Sequence, residues 1–173
     1  MKPIGLLMRE HRMIERMFAL LEKENNVIKI SGKINIDVLT FGVDFFRTYS
    51  DKNHHGKEED ILFRELYTKP LSIELRRTIS LLVDDHIVAR TMIRALDASR
   101  ERYVHNSPGA MVEITENIER MKTLYAKHIE TEEKHFFYPA MDYFSEEEQE
   151  QMLRDFFEFE KTINKEKYED MVK

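Results

Sequence analysis

The feature that most constrains this chain is a spacing that occurs twice, His54-x3-Glu58 and His128-x3-Glu132, each time inside a long helical pattern. Four residues of an α-helix advance about 6 Å and turn about 40° past a full turn, so the His and the Glu of each pair share one helix face. A neutral imidazole and a carboxylate that project together from a helix supply half of a metal site. Two such pairs predict one complete site inside a helical core.

The sequence around these pairs is repeated as well. His11 and His86 are 75 residues apart, and the two His-x3-Glu pairs are 74 residues apart. L-M-R-E-H matches L-V-D-D-H, and H-x3-E-x3-L-F matches H-x3-E-x3-F-F. Each half is therefore predicted to contribute one helix with a single His and one helix with His-x3-Glu. Antiparallel hairpins related by a pseudo-twofold axis would bring all six side chains to one level of the core.

Apolar residues at three- and four-residue intervals indicate four long helices. The pattern is interrupted at Ser31-Gly32, at Lys69-Pro70 and at Asn106–Gly109, and the chain contains only 5 Gly and 4 Pro. Asp37 is the predicted N-cap of the second helix. A capping box that begins at Ser145, with Glu three residues later, predicts the start of a shorter fifth helix.

The short connections between the four long helices predict an all-α fold, an up-down-up-down four-helix bundle. We expect the bundle to span about residues 1–142 and the C-terminal fifth helix to span about residues 146–165. With 173 residues, the chain 1–173 is interpreted as a single domain.

Composition argues against several other classes of protein. The net charge is −6 and no basic block is present, which argues against nucleic acid as a partner. The absence of Cys excludes disulfides, thiolate metal ligands and cysteine nucleophiles, and it fits a reducing compartment. The N-terminus does not have the pattern of a secretory signal, and no apolar run approaches the roughly 18 residues that cross a bilayer. We therefore expect a cytoplasmic protein with no membrane partner.

A lone His on an apolar helix face is more often a core residue than a metal ligand. In this chain, however, all four long helices have a His within the apolar stripe. Two buried glutamates would in addition cost several kcal/mol each if they were ionised without partners. Four imidazoles and two carboxylates suit a pair of transition ions, with two His on each ion and both Glu as bridges. By ligand type, iron, manganese and zinc are all suitable.

These residues resemble the hemerythrin-like (HHE cation-binding) domain family, whose pattern is H…HxxxE…H…HxxxE on a four-helix bundle. The resemblance covers about residues 1–142 and implies two iron ions in a non-haem, carboxylate-bridged centre. The ligands that it implies are His11, His54, Glu58, His86, His128 and Glu132. Hemerythrins that carry oxygen typically have a second His four residues after the third-helix ligand, where this chain has Arg90.

Two alternatives in the ligand set remain open. His135 lies seven residues after His128, on nearly the same helix face, and is either a tentative fifth histidine ligand or a histidine that packs near the ligands. If the second helix is rotated by one residue, His55 and Glu59 replace His54 and Glu58 as ligands. In the same way, Glu133 could replace Glu132. The match between the two halves favours the set implied by the family.

The leading functional hypothesis is a di-iron protein that binds dioxygen or another small diatomic ligand for sensing, storage or delivery. The absence of a His at Arg90 favours an alternative, a di-iron enzyme or stress protein that oxidises iron, removes peroxide or delivers iron for iron–sulfur repair. A third hypothesis is a helical module that zinc or manganese stabilises and that binds a partner protein. Since the fifth helix could cover its own bundle or that of a second copy, a homodimer is also possible.

Overall fold

A computed structural model describes residues 2–172, and all regular secondary structure in this range is helical. The predicted all-α helical bundle is confirmed, whereas the up-and-down order of its helices stays a prediction. None of the described helices is both long and apolar enough to cross a membrane. The α-helices are α1 (Pro3–Ser31), α2 (Ile36–Phe45), α3 (Arg64–Tyr67), α4 (Ile73–Val104), α5 (Ala110–Thr131), α6 (Phe137–Met141), α7 (Glu146–Glu160) and α8 (Lys165–Met171).

The second long helix of the bundle is only partly α-helical. Between α2 and α3 the backbone stays helical but forms two π-helical stretches, Phe46–His55 and Glu58–Phe63. A third π-helical stretch, Glu132–Phe136, lies between α5 and α6. A π-helical turn holds more residues than an α-helical turn, because each N–H bonds to the carbonyl five residues earlier. Side chains in and after such a turn therefore leave the faces that α-helical spacing predicts for them.

Hydrogen bonds at the helix ends confirm one predicted cap and correct another. The capping box forms, since Glu148 N–H donates to Ser145 Oγ over 3.2 Å and Ser145 N–H donates to Glu148 Oε2 over 2.9 Å. At the start of α2 the prediction of Asp37 as the N-cap is wrong. Asn35 is the cap, because its Oδ1 accepts from the backbone N–H groups of Asp37 and Val38.

Two apolar clusters form the core, and the predicted ligands lie between them. On α1, Leu7 belongs to one cluster and Ile14 belongs to the other, with His11 between them. The same order holds on α4 around His86. The bundle therefore has one polar layer with an apolar cluster on each side of it.

The C-terminal helices α7 and α8 pack against the bundle of their own chain. Phe156 of α7 is fully buried in the cluster that also contains Leu7. The ring of Tyr168 in α8 lies against the rings of Phe45 and Tyr49, with centroids 5.7 Å apart in both cases. The predicted fifth helix corresponds to α7, which ends at Glu160, before the predicted end near residue 165, and α8 is a further helix that the sequence analysis did not predict.

Two neighbouring phenylalanines allow a test of how α7 is attached. Phe156 is 0% exposed and Phe157 is 42% exposed. We expect Phe156→Ala to lower the free energy of unfolding by about 3–5 kcal/mol and the melting temperature by about 6–20 °C, because it leaves a cavity in the core. Phe157→Ala, the matched control, should cost less than about 1 kcal/mol. Thermal unfolding followed by circular dichroism would measure both, and equal effects would contradict this packing of α7.

Candidate metal centre

The structure brings six of the seven residues predicted as ligands into one buried cluster. All of them are at most 3% exposed, and they come from all four long helices of the bundle. The six are His11, His54, Glu58, His86, His128 and Glu132. Their nitrogen and oxygen atoms form two groups that share both glutamates.

The first group, here called position A, contains the Nε2 atoms of His11 and His54, which are 3.0 Å apart. Glu132 Oε2 lies 3.0 Å from His11 Nε2. Glu58 Oε1 lies 3.4 Å from His54 Nε2. Position A therefore has two imidazole nitrogens and two carboxylate oxygens, one oxygen from each Glu.

The second group, here called position B, contains the Nε2 atoms of His86 and His128, which are 3.2 Å apart. Glu58 Oε2 lies 3.4 Å from His86 Nε2. Glu132 Oε1 lies 3.3 Å from His128 Nε2. Since each Glu directs one oxygen to each position, both carboxylates could bridge a pair of ions.

The chemistry of these atoms fits two cations. All four carboxylate oxygens of Glu58 and Glu132 are buried without a hydrogen-bond partner in the described part of the chain, and they face the Nε2 atoms. Buried carboxylates cost several kcal/mol when no positive charge compensates them. Two nitrogens bound to one ion at about 2.1 Å and at right angles are about 3.0 Å apart, which agrees with the nitrogen spacing at both positions.

The surrounding charges also favour a positive charge at this level of the core. Burial opposes the protonation of His11, but Glu132 and Glu133 outweigh burial and raise the pKa of His11 to about 9. Burial opposes the protonation of His128 as well, but Glu132 and Asp85 raise the pKa of His128 to about 10. In the metal-free chain these imidazoles hold protons at neutral pH, and bound cations would replace those protons.

The Nδ1 atoms of the histidines are held by further carboxylates. His11 Nδ1–H donates to Glu133 Oε1 over 2.8 Å, and His86 Nδ1–H donates to Glu59 Oε1 over 2.7 Å. The hydrogen is assigned to Nδ1 because an ionised carboxylate only accepts, and this leaves the lone pair of Nε2 for a metal. Glu59 and Glu133 therefore orient the histidines and do not replace the glutamates that precede them.

Two carboxylates that the sequence analysis missed hold the other two histidines. His54 Nδ1–H donates to Glu10 Oε2 over 3.0 Å. His128 Nδ1–H donates to Asp85 Oδ2 over 3.4 Å. Both acids directly precede the single His of their half, in L-M-R-E-H and L-V-D-D-H. An acid at the same place in both halves was the signal that could have identified them.

Glu10 is part of a partly buried ionic cluster that includes residues of the C-terminal helices. This Glu10 cluster consists of Glu10, Lys57, Glu160 and Lys165. The fully buried Lys57 contacts Glu10 and lies 3.0 Å from Glu160 Oε2, while Lys165 Nζ lies 2.8 Å from Glu10 Oε1. Burial opposes the ionisation of Glu10, but His54 and the two lysines outweigh burial and lower its pKa. The carboxylate that orients His54 therefore depends on residues of α7 and α8.

Arg90 lies four residues after His86, where oxygen-carrying hemerythrins typically have a second histidine, and its side chain donates to two carboxylates. Its Nε–H donates to Asp51 Oδ1 over 2.8 Å, and its Nη2–H donates to Glu59 Oε1 over 2.6 Å. Arg90 therefore supports the carboxylate that orients His86.

The structure does not bring His135 to the cluster. Its side chain is exposed, because the π-helical stretch Glu132–Phe136 changes the phase of the helix and turns Phe136 inward instead. His55, in contrast, is buried next to position B, within a set of three histidines whose ligand atoms lie within 4.8 Å of one another. The structure thus offers a different residue as a fifth histidine.

We expect Glu59→Ala to weaken metal binding by about 10- to 100-fold, because His86 would lose the acceptor that fixes its ring. Competition with a chromophoric chelator would measure the affinity. Asp60 is the adjacent acid and is exposed, so Asp60→Ala is a matched control that should bind metal as the unaltered protein does. Equal affinities for the two variants would contradict an orienting role for Glu59.

The comparisons with known proteins agree with this geometry. The family model of the hemerythrin HHE cation binding domain matches residues 2–137, which include all six clustered residues. No curated protein and no solved structure matches the chain significantly.

Proposed function

Because the chain belongs to the hemerythrin HHE cation-binding domain family, we propose that it is a non-haem di-iron protein that binds dioxygen or another small diatomic ligand. The observation that carries this proposal is the placement of Glu58 and Glu132 between two pairs of histidines, with one oxygen of each Glu at each position. Iron at positions A and B would supply redox chemistry and affinity for diatomic ligands.

The ligand set supports an exchangeable position on the metals. Each position has two imidazole nitrogens and two carboxylate oxygens. Four protein donors leave at least one position open on a five- or six-coordinate ion. Imidazole and carboxylate ligands also suit manganese and zinc, so the choice of iron rests on the family.

The surroundings of the centre favour a small ligand. Aromatic rings cover it, since Phe137 stacks on His11 with centroids 5.7 Å apart and Phe63 stacks on His86 with centroids 6.1 Å apart. The space next to position B, between His55, His86 and His128, is too small to admit a water molecule. Pockets for organic ligands usually have about 300–1,000 Å³. An organic substrate therefore has no room beside position B.

Anaerobic loading with Fe(II) tests the proposal. We expect two iron ions per chain by elemental analysis, and a new visible charge-transfer absorption when dioxygen or nitric oxide is added. Removal of the gas should reverse the absorption if the protein is a carrier or a sensor. The absence of iron uptake, or iron uptake without any spectral response to either gas, would refute the proposal.

The same samples distinguish binding from the enzymatic alternative. Arg90 in place of a histidine favours that alternative, because the centre then lacks the second third-helix His typical of oxygen carriers. An enzyme would consume peroxide or Fe(II) beyond two equivalents per chain, and His54→Ala would abolish that turnover. A binding protein would stop at stoichiometric uptake.

A further inference from the structure

We propose that His55 is a fifth histidine ligand of the centre and binds the ion at position B, so that the two positions are chemically unequal. The inference rests on the proposed function, since it requires two ions in the centre. It assigns to His55 a role that the H…HxxxE pattern does not include.

The first observation is an unpartnered nitrogen. His55 is 1% exposed, and its Nε2 atom has no hydrogen-bond partner in residues 2–172. A buried polar atom left without a partner costs about 1–3 kcal/mol. In this cluster the other buried atoms without partners include the four carboxylate oxygens that face positions A and B. A cation at position B would satisfy His55 Nε2 in the same way.

The second observation is the carboxylate on the other side of the ring. His55 Nδ1 lies 3.4 Å from Asp51 Oδ1, and Arg90 Nε–H donates to the same oxygen over 2.8 Å. All five buried histidines thus have a carboxylate at Nδ1, the arrangement that directs the lone pair of Nε2 to a metal. Arg90 supports two of these carboxylates, Asp51 and Glu59.

The third observation is the position of the ring. Ligand atoms of His55, His86 and His128 all lie within 4.8 Å of one another. Two nitrogens on one ion at about 2.1 Å are separated by at most about 4.2 Å, so these atoms lie close to the spacing that one shared ion requires. The ring stacks on His86, with centroids 3.9 Å apart and planes 13° apart. Because an imidazole binds a metal in the plane of its ring, His55 must turn out of this stacked orientation to bind the ion that His86 binds.

The two halves of the chain differ at the residue that follows the His of each His-x3-Glu pair. His54 and His55 are both buried, in the π-helical stretch Phe46–His55. His128 and Ile129 are both buried as well, in α5. The first half therefore has a second buried imidazole where the second half has an apolar side chain.

An unequal centre has a direct consequence for ligand binding. Position B would have three imidazoles and two carboxylate oxygens, whereas position A would have two imidazoles and two carboxylate oxygens. The ion at position A therefore has one protein ligand fewer and one more open place. A small ligand would bind on the side of His11 and His54.

Titration of the metal-free protein with Co(II) or Fe(II), together with Mössbauer spectra of the ⁵⁷Fe-loaded protein, tests the inference. The unaltered protein should bind two ions and give two distinct quadrupole doublets of equal area. In His55→Gln we expect the affinity for one of the two ions to fall by about 10- to 100-fold, with a change in only one doublet. In His55→Ala, free imidazole should restore the lost affinity. His135→Gln, a change of an exposed histidine, is the matched control and should leave both readouts unchanged.

Each result decides between distinct conclusions. If the unaltered protein bound no metal, both the proposed function and the inference would fail. If it bound two ions and His55→Gln gave the same affinities and the same two doublets, only the inference would be overturned. Circular dichroism of each variant establishes that the fold is retained, and His55→Gln is the decisive variant because it keeps most of the volume of the side chain.

Discussion

Replacing Glu132 with Ala is expected to reduce the metal content from two ions per chain to fewer than one. Glu132 provides one oxygen to position A and the other to position B, so a single substitution weakens both ions. It also removes the charge that favours cations at His11 and His128. Since loss of a residue that only orients a ligand costs about 10- to 100-fold in affinity, loss of a bridging ligand should cost more than about 100-fold at each ion. Elemental analysis after gel filtration would measure the content.

Glu130 provides the matched control for this substitution. It lies on the same helix, is exposed, and pairs with Lys134 at 2.6 Å. Glu130→Ala should retain two ions per chain. Two ions in Glu132→Ala, with helicity unchanged, would show that Glu132 is not a ligand and would remove the bridging model.

Removal of the metals is expected to lower the melting temperature by about 15–30 °C. An ion that is present at about 1,000 times its dissociation constant stabilises the folded state by about 4 kcal/mol, and two ions do so by about 8 kcal/mol. For a chain of this size each kcal/mol corresponds to about 2–4 °C. The metal-free chain should nevertheless stay folded, because protonated His11 and His128 pair with Glu132 when no cation is bound. Differential scanning calorimetry before and after treatment with a chelator would measure the difference.

The His54→Ala variant is the control for the effect of the chelator. It lacks a ligand of position A and should show a much smaller difference between the treated and untreated samples. A melting temperature of the unaltered protein that did not respond to metal or chelator would contradict the two-ion centre. The protein would then be a helical bundle whose core contains ion pairs and no metal centre.

The sequence predicted those features that depend on α-helical spacing and on the internal repeat. The four helices belong to this group, and so do the six clustered side chains, although His54 and Glu58 lie in π-helical stretches and still face the same position. Glu10 and Asp85 were also accessible, because an acid precedes the single His in both halves. The internal repeat indicates these two acids because they make equivalent contacts, Glu10 with the Nδ1 atom of His54 and Asp85 with the Nδ1 atom of His128.

The features that the sequence did not predict arise from departures from α-helical spacing and from contacts between distant segments. The π-helical stretch Glu132–Phe136 changes the helical phase, so His135 is exposed, although α-helical spacing predicts that it points inward. Local sequence does not distinguish a π-helical turn from an α-helical one here. Lys57 is fully buried because α7 supplies Glu160 as its partner, which lies 103 residues later.

The Glu10 cluster has a consequence for the order of events while the protein is made. All six clustered side chains precede residue 133, but Glu160 and Lys165, which help to hold the partner of His54, are translated later. While Glu160 and Lys165 are still inside the ribosome, the six side chains are already available. Glu10, which orients His54, then lacks the contacts that hold it. We therefore expect position A to bind iron about 10- to 100-fold more weakly until Glu160 and Lys165 have left the ribosome and packed against the bundle.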